Sequence, residues 1–258
     1  MVRPIAEVGF RSLNFVQQLG RMTVFAAAIV KSALTPPIRF GLYVRELYKL
    51  GVLSLLIICV SGLTVGMVLG LQGYHTLVRF GAARSLGAVV GLSLIRELGP
   101  VLTALLVTGR AGSAATAEIG AMVATEQLDG LRMLSIDPVH LVATPKAIAL
   151  VTIMPLLAAL FIVCGLLGGY LVGVGMMGLD PGSYMSSLRA AIDYPNDIAC
   201  SVFKSLIFGM LLALIATYRG FTAEPTSEGV SSATTATVVI GSVSVLLFDF
   251  VITSLWGV

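Results

Sequence analysis

The chain has 258 residues, of which 57% are hydrophobic and only 11% are charged, and its net charge is +3. A soluble domain usually carries about 25% charged residues, and apolar stretches long enough to cross a bilayer recur along this sequence. These numbers exclude an ordinary soluble protein and give no reason to expect a nucleic-acid partner. They predict an all-α, polytopic membrane helical bundle.

Residues 1–51 interleave Phe, Leu, Val and Tyr with Arg and Lys at helical spacing. Basic amphipathic helices of this kind lie in the membrane interface. The alternative is a short extra span over 22–34, but Arg21 and Lys31 stand at its ends, and the pattern favours N-terminal interfacial helices. No signal-peptide pattern opens the chain, so we expect the N-terminus to stay in the cytoplasm.

A transmembrane domain is predicted over residues 52–258, with five transmembrane helices. These predicted spans are 52–72, 86–109, 147–176, 198–218 and 236–256. Lys and Arg outside them are uneven: eleven fall on one side of the membrane and three on the other. The eleven are Arg3, Arg11, Arg21, Lys31, Arg39, Arg45, Lys49, Arg110, Arg132, Lys146 and Arg219, and the three are Arg79, Arg84 and Arg189. The positive-inside rule puts the eleven in the cytoplasm and, with five spans, the C-terminus on the opposite side.

Glycine repeats at every fourth position in two of the predicted spans. The rows are Gly62, Gly66 and Gly70 in the first span, and Gly165, Gly169 and Gly173 in the third. Small residues at this spacing let helix backbones approach closely. The pattern is compatible both with packing inside one chain and with a subunit interface.

Arg96, Glu97 and Pro100 interrupt the second predicted span. If Arg110 marks the cytoplasmic surface, Arg96 lies fourteen residues away, roughly 21 Å deeper, beyond the middle of a hydrocarbon core about 30 Å thick. Pro100 has no N–H, so the carbonyl of Arg96 loses its helical donor and a kink is expected. Charges at this depth face a bundle interior or a watered cavity. Arg96 and Glu97 therefore line a polar substrate cavity, or they form structural ion pairs with another helix.

Lys204 and Asp249 are charged residues in the fourth and fifth predicted spans. Each lies about 9 to 10 Å below the same surface. Antiparallel neighbouring helices would bring them level, so we predict a buried structural ion pair.

Residues 111–146 are predicted to form a cytoplasmic coupling region beyond the end of the second span. The stretch AGSAATAEIG is too polar to span and too apolar for a free linker, and it favours a helical projection that docks on a partner. TEQLDGLRML predicts a short amphipathic helix with one leucine face; this face comprises Leu128, Leu131 and Leu134, with Glu126 and Asp129 elsewhere. In residues 220–239, a turn followed by a capped helix start is predicted.

No catalytic chemistry is visible in the sequence. There is no GxxxxGK[ST] loop for ATP. His75 and His140 fall on opposite sides of the membrane, and the cysteines lack metal-ligand spacing, so no metal site is predicted. The cysteines Cys59, Cys164 and Cys200 fit a packing role.

Four stretches of the chain are long and distinctive. They are GMVLGLQGY (66–74), LIRELGPVLTALLVTGRAGSAATAEIGAM (94–122), ATEQLDGLRMLSIDP (124–138) and PTSEGVSSATTATVV (225–239). Together they closely resemble the MlaE-type permeases, the membrane subunits of an ABC system that maintains outer-membrane lipid asymmetry in diderm bacteria. The resemblance runs from about residue 40 to the C-terminus and is weaker before it.

The resemblance implies a homodimer in the bacterial inner membrane, with the C-terminus in the periplasm. It implies two cytoplasmic ABC ATPase subunits that bind ATP and Mg²⁺, while this chain binds no cofactor and catalyses no covalent step. A small STAS-domain protein and a hexameric periplasmic ring of MCE-domain subunits are also implied. The implied cargo is glycerophospholipid, moved between the inner membrane and a periplasmic carrier.

The resemblance also implies roles for individual residues. The coupling helix that enters a groove on the ATPase would use Glu126, Leu128, Gly130, Leu131 and Asp137. A lipid cavity would lie at the dimer centre, open toward the periplasm and walled by the first, second and fifth spans. Acyl chains would contact Leu69, Leu77, Val78 and Phe80. Arg96 and Glu97 would hold the headgroup region, since a guanidinium suits phosphate.

Two other functions are compatible with the sequence. A proton-coupled secondary lipid transporter would use Glu97 and Asp249 as titrating groups, although we find no sign of the inverted repeats and paired broken helices typical of such proteins. A structural scaffold for a lipid-binding ring would tolerate the loss of Arg96 and Glu97 without loss of lipid transport.

Overall fold

The computed structural model describes residues 3–35 and 40–256, with side chains from residue 16 onward. Within these ranges the chain is all-helical, which confirms the predicted fold class. Its α-helices are α1 (Arg3–Leu34), α2 (Phe40–Leu50), α3 (Leu55–Arg79), α4 (Leu86–Leu92), α5 (Gly99–Val107), α6 (Ser113–Ala124), α7 (Gln127–Met133), α8 (Thr144–Tyr170), α9 (Pro181–Ala191), α10 (Tyr194–Phe221) and α11 (Ser227–Trp256). Short π-helical and 3-10 turns join several of them into longer rods.

Five helical rods in the described part of the chain are long and apolar enough to cross a membrane, which confirms the predicted number of spans. From first to fifth, the rods are Phe40–Arg79, Ala83–Ala124, Val139–Met176, Tyr194–Phe221 and Ser227–Trp256. Each is longer than predicted because the helix continues past its apolar stretch into polar ends, which hydropathy does not count.

The N-terminal region contains the two helices α1 and α2. Their position in a membrane interface stays a prediction. The junction at 36–39, with Arg39, and the side chains of Arg3 and Arg11 lie outside the described residues.

The first and third spans pack closely along their two rows of glycine. Gly66 lies directly against the backbone of Gly165, and a Cβ placed on Gly62 would lie only 2.7 Å from the carbonyl oxygen of Phe161. Side chains larger than hydrogen would hold these helices apart. These glycine faces are therefore occupied within one chain, which decides between the two readings of the glycine pattern in favour of intrachain packing.

The helix of the second span continues past Arg110 and stays packed in the bundle. The helix continues through a π-helical turn, Thr108–Gly112, into α6. The buried hydroxyl of Thr116 in α6 hydrogen-bonds with Thr237 Oγ1 of α11 at 2.9 Å. The first part of the predicted 111–146 coupling region thus packs on the bundle, because its small residues let α6 approach α10 and α11.

The predicted leucine face of the short helix α7 is only partly covered by the rest of the chain. Leu128 is 4% exposed and Leu131 is half-buried, but Leu134 is 71% exposed. Leu134 is the C-cap residue of α7, and its N–H still donates a hydrogen bond to the carbonyl of Gly130 at 3.2 Å. The three leucines therefore keep their helical spacing, with Leu128 covered by the chain itself and Leu134 left exposed.

The start of α11 is capped, as predicted. Thr226 Oγ1 accepts a hydrogen bond from the backbone N–H of Gly229 at 2.9 Å. This bond satisfies one of the free N–H groups of the first helical turn.

Candidate functional site

A cluster of charged side chains lies where the second, fourth and fifth spans meet, with Lys204 at its centre. Lys204 is 1% exposed, and its Nζ donates hydrogen bonds to Glu97 Oε2 and to Thr253 Oγ1, each at 2.7 Å. Asp249 Oδ1 lies 3.1 Å from Nζ but outside hydrogen-bond geometry, so these two groups interact as an ion pair. A buried ammonium group is tolerated in an apolar interior when carboxylates compensate its charge.

The break at Pro100 supplies a further partner for Lys204. Pro100 has no N–H to offer the carbonyl of Arg96, and that carbonyl instead accepts a hydrogen bond from Lys204 Nζ at 3.1 Å. The helix accommodates the break with a π-helical turn over Ser93–Leu98. A lysine from the fourth span therefore satisfies the backbone group that the proline leaves without a donor.

Arg96 pairs with an acid outside the Lys204 cluster. Its Nε donates to Asp197 Oδ1 at 2.8 Å, and Asp197 Oδ2 also accepts the N–H of Asp193 at 2.9 Å. The Asp197 side chain is 4% exposed, whereas that of Arg96 is 31% exposed. Among the described residues, Nη1 and Nη2 of Arg96 make no hydrogen bond. The guanidinium is thus anchored at one edge and can present its other edge to an anion.

This geometry bears on both roles predicted for Arg96 and Glu97, which are the lining of a polar substrate cavity and structural ion pairing. Arg96 and Glu97 both form ion pairs with α10 of the same chain, Arg96 with Asp197 and Glu97 with Lys204. Lys204 and Asp249, predicted to lie level, are in contact. Arg96 and Glu97 nevertheless keep about a third of their side-chain surface exposed, so pairing leaves both partly available to a ligand.

Two residues of this site, one in the Lys204 cluster and one beside Arg96, were missed by sequence reasoning, although both carry a signal. Asp197 lies seven residues before Lys204, and Thr253 lies four residues after Asp249. Both intervals return to the same face of a helix. A search for polar residues on the same helix face as Lys204 in the fourth span, and as Asp249 in the fifth, would have found them.

The predicted acyl-chain contacts, on α3 and at the residue that follows it, pack apart from this cluster. Leu69 and Leu77 are half-buried against the chain's own core, while Val78 and Phe80 are exposed. α3 packs mainly on α8, whereas Arg96 and Glu97 face α10 and α11. Within one copy of the chain, the two predicted halves of the lipid site face different neighbours.

The first and fifth spans have the least covered surfaces of the five. In their most apolar 18-residue windows, 22% and 17% of the residues are buried, against 44% to 50% in the other three. Exposed apolar side chains run along α11, among them Val239, Val243, Leu247 and Phe250. Faces of this kind suit lipid or another apolar helix surface.

The predicted coupling residues divide into exposed and inward-facing ones. Glu126, Gly130 and Asp137 are exposed. Leu128 is buried in a small cluster with Ile119 and Val142, and Leu131 packs against that cluster. Leu128 therefore positions α7 on its own chain and is not available to contact a partner.

Two exposed apolar residues at the end of α7 were not among the predicted coupling residues. Met133 is 88% exposed and Leu134 is 71% exposed. They form an exposed apolar surface at the C-terminal end of α7.

Known proteins match this chain over most of its length. A family model described as Permease MlaE matches residues 43–255. The chain is 48% identical to the intermembrane phospholipid transport system permease protein MlaE of Haemophilus influenzae, over 99% of this chain and 98% of that protein. It is 37% identical to a probable ABC transporter permease protein of Rickettsia bellii, over 96% of each. It is 33% identical to the chloroplast protein TRIGALACTOSYLDIACYLGLYCEROL 1 of Arabidopsis thaliana, over 90% of this chain and 66% of that protein.

These matches confirm the resemblance first carried by four sequence stretches. They agree with the five-span helical fold, and they extend the likeness to nearly the whole chain. The chain is a multi-pass membrane permease that belongs to the Permease MlaE family.

Proposed function

We propose that the chain is the membrane permease subunit of an ABC transporter that moves glycerophospholipid between the bacterial inner membrane and a periplasmic MCE-type carrier. This movement maintains the lipid asymmetry of the outer membrane. The observation that carries the proposal is the charge cluster inside the apolar spans, in which Arg96 and Glu97 stay partly exposed. The name of the Haemophilus influenzae relative, an intermembrane phospholipid transport permease, supports the choice of cargo.

In the proposed site, the free edge of the Arg96 guanidinium binds the lipid phosphate. Asp197 holds Nε and so fixes the orientation of the planar group. Glu97, oriented by Lys204, lies beside the headgroup. The acyl chains lie against apolar residues of α3 and against the residue that follows it, namely Leu69, Leu77, Val78 and Phe80.

The proposed cavity needs two copies of the chain. In a single copy the first and fifth spans pack on different neighbours, and both have large uncovered apolar faces. A homodimer in which the first, second and fifth spans wall a central cavity covers these faces. The cavity opens toward the periplasm, under a hexameric ring of MCE-domain subunits.

The proposed energy source is ATP bound with Mg²⁺ on two cytoplasmic ABC ATPase subunits, which are flanked by a STAS-domain protein. Each ATPase contacts α7 and the residues around it on the cytoplasmic side. Their closure is transmitted through residues 125–138, collapses the cavity and expels the lipid. In this scheme the N-terminus is cytoplasmic, the C-terminus is periplasmic, and the permease itself performs no hydrolysis.

Photocrosslinking tests the proposed cavity. A photoreactive residue at position Leu77 or Glu97 is expected to form adducts with labelled phospholipid in the reconstituted complex, and ATP turnover is expected to reduce them. Leu156, which is 68% exposed on the third span, is the control. Surrounding bilayer lipid reacts there whether or not ATP is present. The cavity is contradicted if neither Leu77 nor Glu97 gives lipid adducts. It is also contradicted if ATP leaves the adduct yield unchanged at all three positions.

Copurification and transport assays distinguish the alternatives. A stable complex with an ABC ATPase, and transport that stops without ATP, support the proposal. Transport by the chain alone, driven by a proton gradient, supports a secondary transporter instead. Full transport by a variant carrying Arg96→Ala, Glu97→Ala and Leu77→Glu supports a scaffold.

A further inference from the structure

A second charged network involves α6 and α8, the helices before and after α7, and lies away from the proposed lipid site. Lys146, at the start of the third span, has a side chain that is 3% exposed. Its Nζ donates hydrogen bonds to Glu46 Oε2 of α2 at 2.9 Å and to Glu118 Oε2 of α6 at 2.7 Å. Lys49 of α2 also donates to Glu118, at 2.9 Å. One network therefore joins α2, α6 and α8.

The same region holds the junction between α2 and the first span. Nη1 of Arg110, in the second span, donates hydrogen bonds to the carbonyl of Lys49 and to Ser54 Oγ, each at 2.9 Å. These acceptors lie at the end of α2 and just before α3. These hydrogen bonds therefore constrain α2 to move together with the cytoplasmic end of α3.

The two ends of the α7 segment are also joined to each other. α6 leads into α7, and Val139–Ala143 leads from it into α8. Leu128 packs between Ile119 of α6 and Val142 of the following turn. A force on α7 is therefore carried to both α6 and the start of α8, the two helices that hold Glu118 and Lys146.

We propose that Glu118, Lys146 and Glu46 are positioning residues that transmit the movement of α7 to α2 and, with Arg110, to the first span. The inference rests on the proposed function, because it takes an ATPase to move α7. Its physical basis is that Lys146 makes hydrogen bonds to α6 and α2 at once. Separating a buried lysine from either carboxylate costs free energy, because it leaves buried charge without full compensation. α6, α8 and α2 therefore move as one unit.

A purely stabilising role is the competing explanation. Buried ion pairs add little net stability compared with well-packed apolar residues, so stability alone does not account for this arrangement. The two explanations differ in what they predict for transport. A stabilising network sets how much protein is folded, whereas a transmitting network sets how much lipid is moved for each ATP hydrolysed.

The test uses the complete complex with its ATPases in proteoliposomes. Glu118→Gln removes the negative charge from the link to α6, and Glu46→Gln removes it from the link to α2, so each charge-assisted hydrogen bond becomes a weaker neutral one. Each leaves Lys146 with one carboxylate, which protects folding. Either variant is expected to hydrolyse ATP at the wild-type rate while moving about two- to thirtyfold less phospholipid per ATP, the range typical of a lost coupling contact. Glu224→Gln, an exposed carboxylate on the same predicted side of the membrane, is the matched control and is expected to keep the wild-type ratio.

The outcomes separate this inference from the proposed function. A wild-type complex that moves no phospholipid contradicts the proposed function, whatever the variants do. If the wild-type complex transports and both variants keep its lipid-to-ATP ratio, the inference is overturned. It is also overturned if transport and hydrolysis fall in equal proportion together with the melting temperature, because that result indicates a structural role. Should one variant fail to fold, the ratio measured with the other decides.

Discussion

Lys204 shows how a single residue can hold three spans together. Its three ammonium protons are all used, by a carboxylate, a hydroxyl and the carbonyl of Arg96. Asp249 adds a second negative charge nearby. The site therefore contains one buried cation between two acids, and its stability depends on that cation more than on either acid alone.

Replacing the cation and replacing one acid are expected to have different effects. Lys204→Ala leaves Glu97 and Asp249 without a buried counter-charge, so the free energy of unfolding is expected to fall by about 3–5 kcal/mol. Asp249→Asn leaves Lys204 paired with Glu97, and the expected loss is about 1–3 kcal/mol. Denaturant unfolding of the purified protein in detergent measures both. The double variant is expected to lose less than the sum of the single losses, because the residues are in contact; additive losses would argue against a coupled cluster.

At the scale of helices, glycine decides how closely the first and third spans approach. Gly66 and Gly165 lie backbone to backbone, which gains close packing over the length of two long helices. The same residue type is unimportant where no neighbour is near, as at Gly175.

This contrast gives a matched pair of substitutions. Gly66→Ala is expected to destabilise the protein by about 1–3 kcal/mol, because the added Cβ must push the two backbones apart. Gly175→Ala adds the same atom where no heavy atom lies within 4 Å, and the expected change is within about 0.5 kcal/mol. Thermal unfolding of the two variants side by side measures the difference. Equal melting temperatures contradict the proposed importance of the α3–α8 contact.

The helix α7 combines an inward-facing leucine with an exposed apolar end, and the two features are separable. Met133→Ser with Leu134→Ser changes only exposed side chains. It is expected to preserve folding but to weaken binding of the ATPase at least tenfold, which corresponds to about 1.4 kcal/mol. Titration of the ATPase against the permease in detergent measures the affinity.

Leu128→Ala is the control for that experiment. Leu128 is 4% exposed, so truncation leaves a cavity and is expected to lower the stability of the permease itself, by about 2–5 kcal/mol. Unchanged ATPase affinity in the Met133 and Leu134 variant would show that the contact lies elsewhere on the cytoplasmic surface.

At the scale of the whole molecule, five spans place α7 and α9 on opposite sides of the membrane. In a variant without its native cysteines, Ser186→Cys on α9 is expected to react with a membrane-impermeant maleimide in cells whose outer membrane has been permeabilised. Met133→Cys is expected to react only after the inner membrane is opened. Both positions are exposed, so reactivity reports the side of the membrane. The reverse pattern contradicts the predicted orientation.

The sequence was sufficient for the number of spans and for the unusual residues within them. In lipid, every backbone N–H and C=O group must find its hydrogen-bond partner within the protein, and a single apolar stretch achieves this by forming a helix. Hydropathy alone therefore predicts the rods. A charge inside such a stretch is conspicuous for the same reason, and Arg96, Glu97, Lys204 and Asp249 were therefore identified without any contact information.

Tertiary structure decided which of these residues meet and where the helices end. Asp197 became the partner of Arg96 because the second and fourth spans pack together, a long-range contact that local spacing does not encode. The continuation of the second span through α6 depends on packing against α10 and α11. The exposure of Leu134 depends on how α7 packs on its own chain, because Leu128 and Leu131 belong to its small apolar cluster and Leu134 does not. The sequence determines which residues require a partner when they are buried, because it shows which of them are charged or polar. Only the packed bundle decides which neighbour becomes that partner.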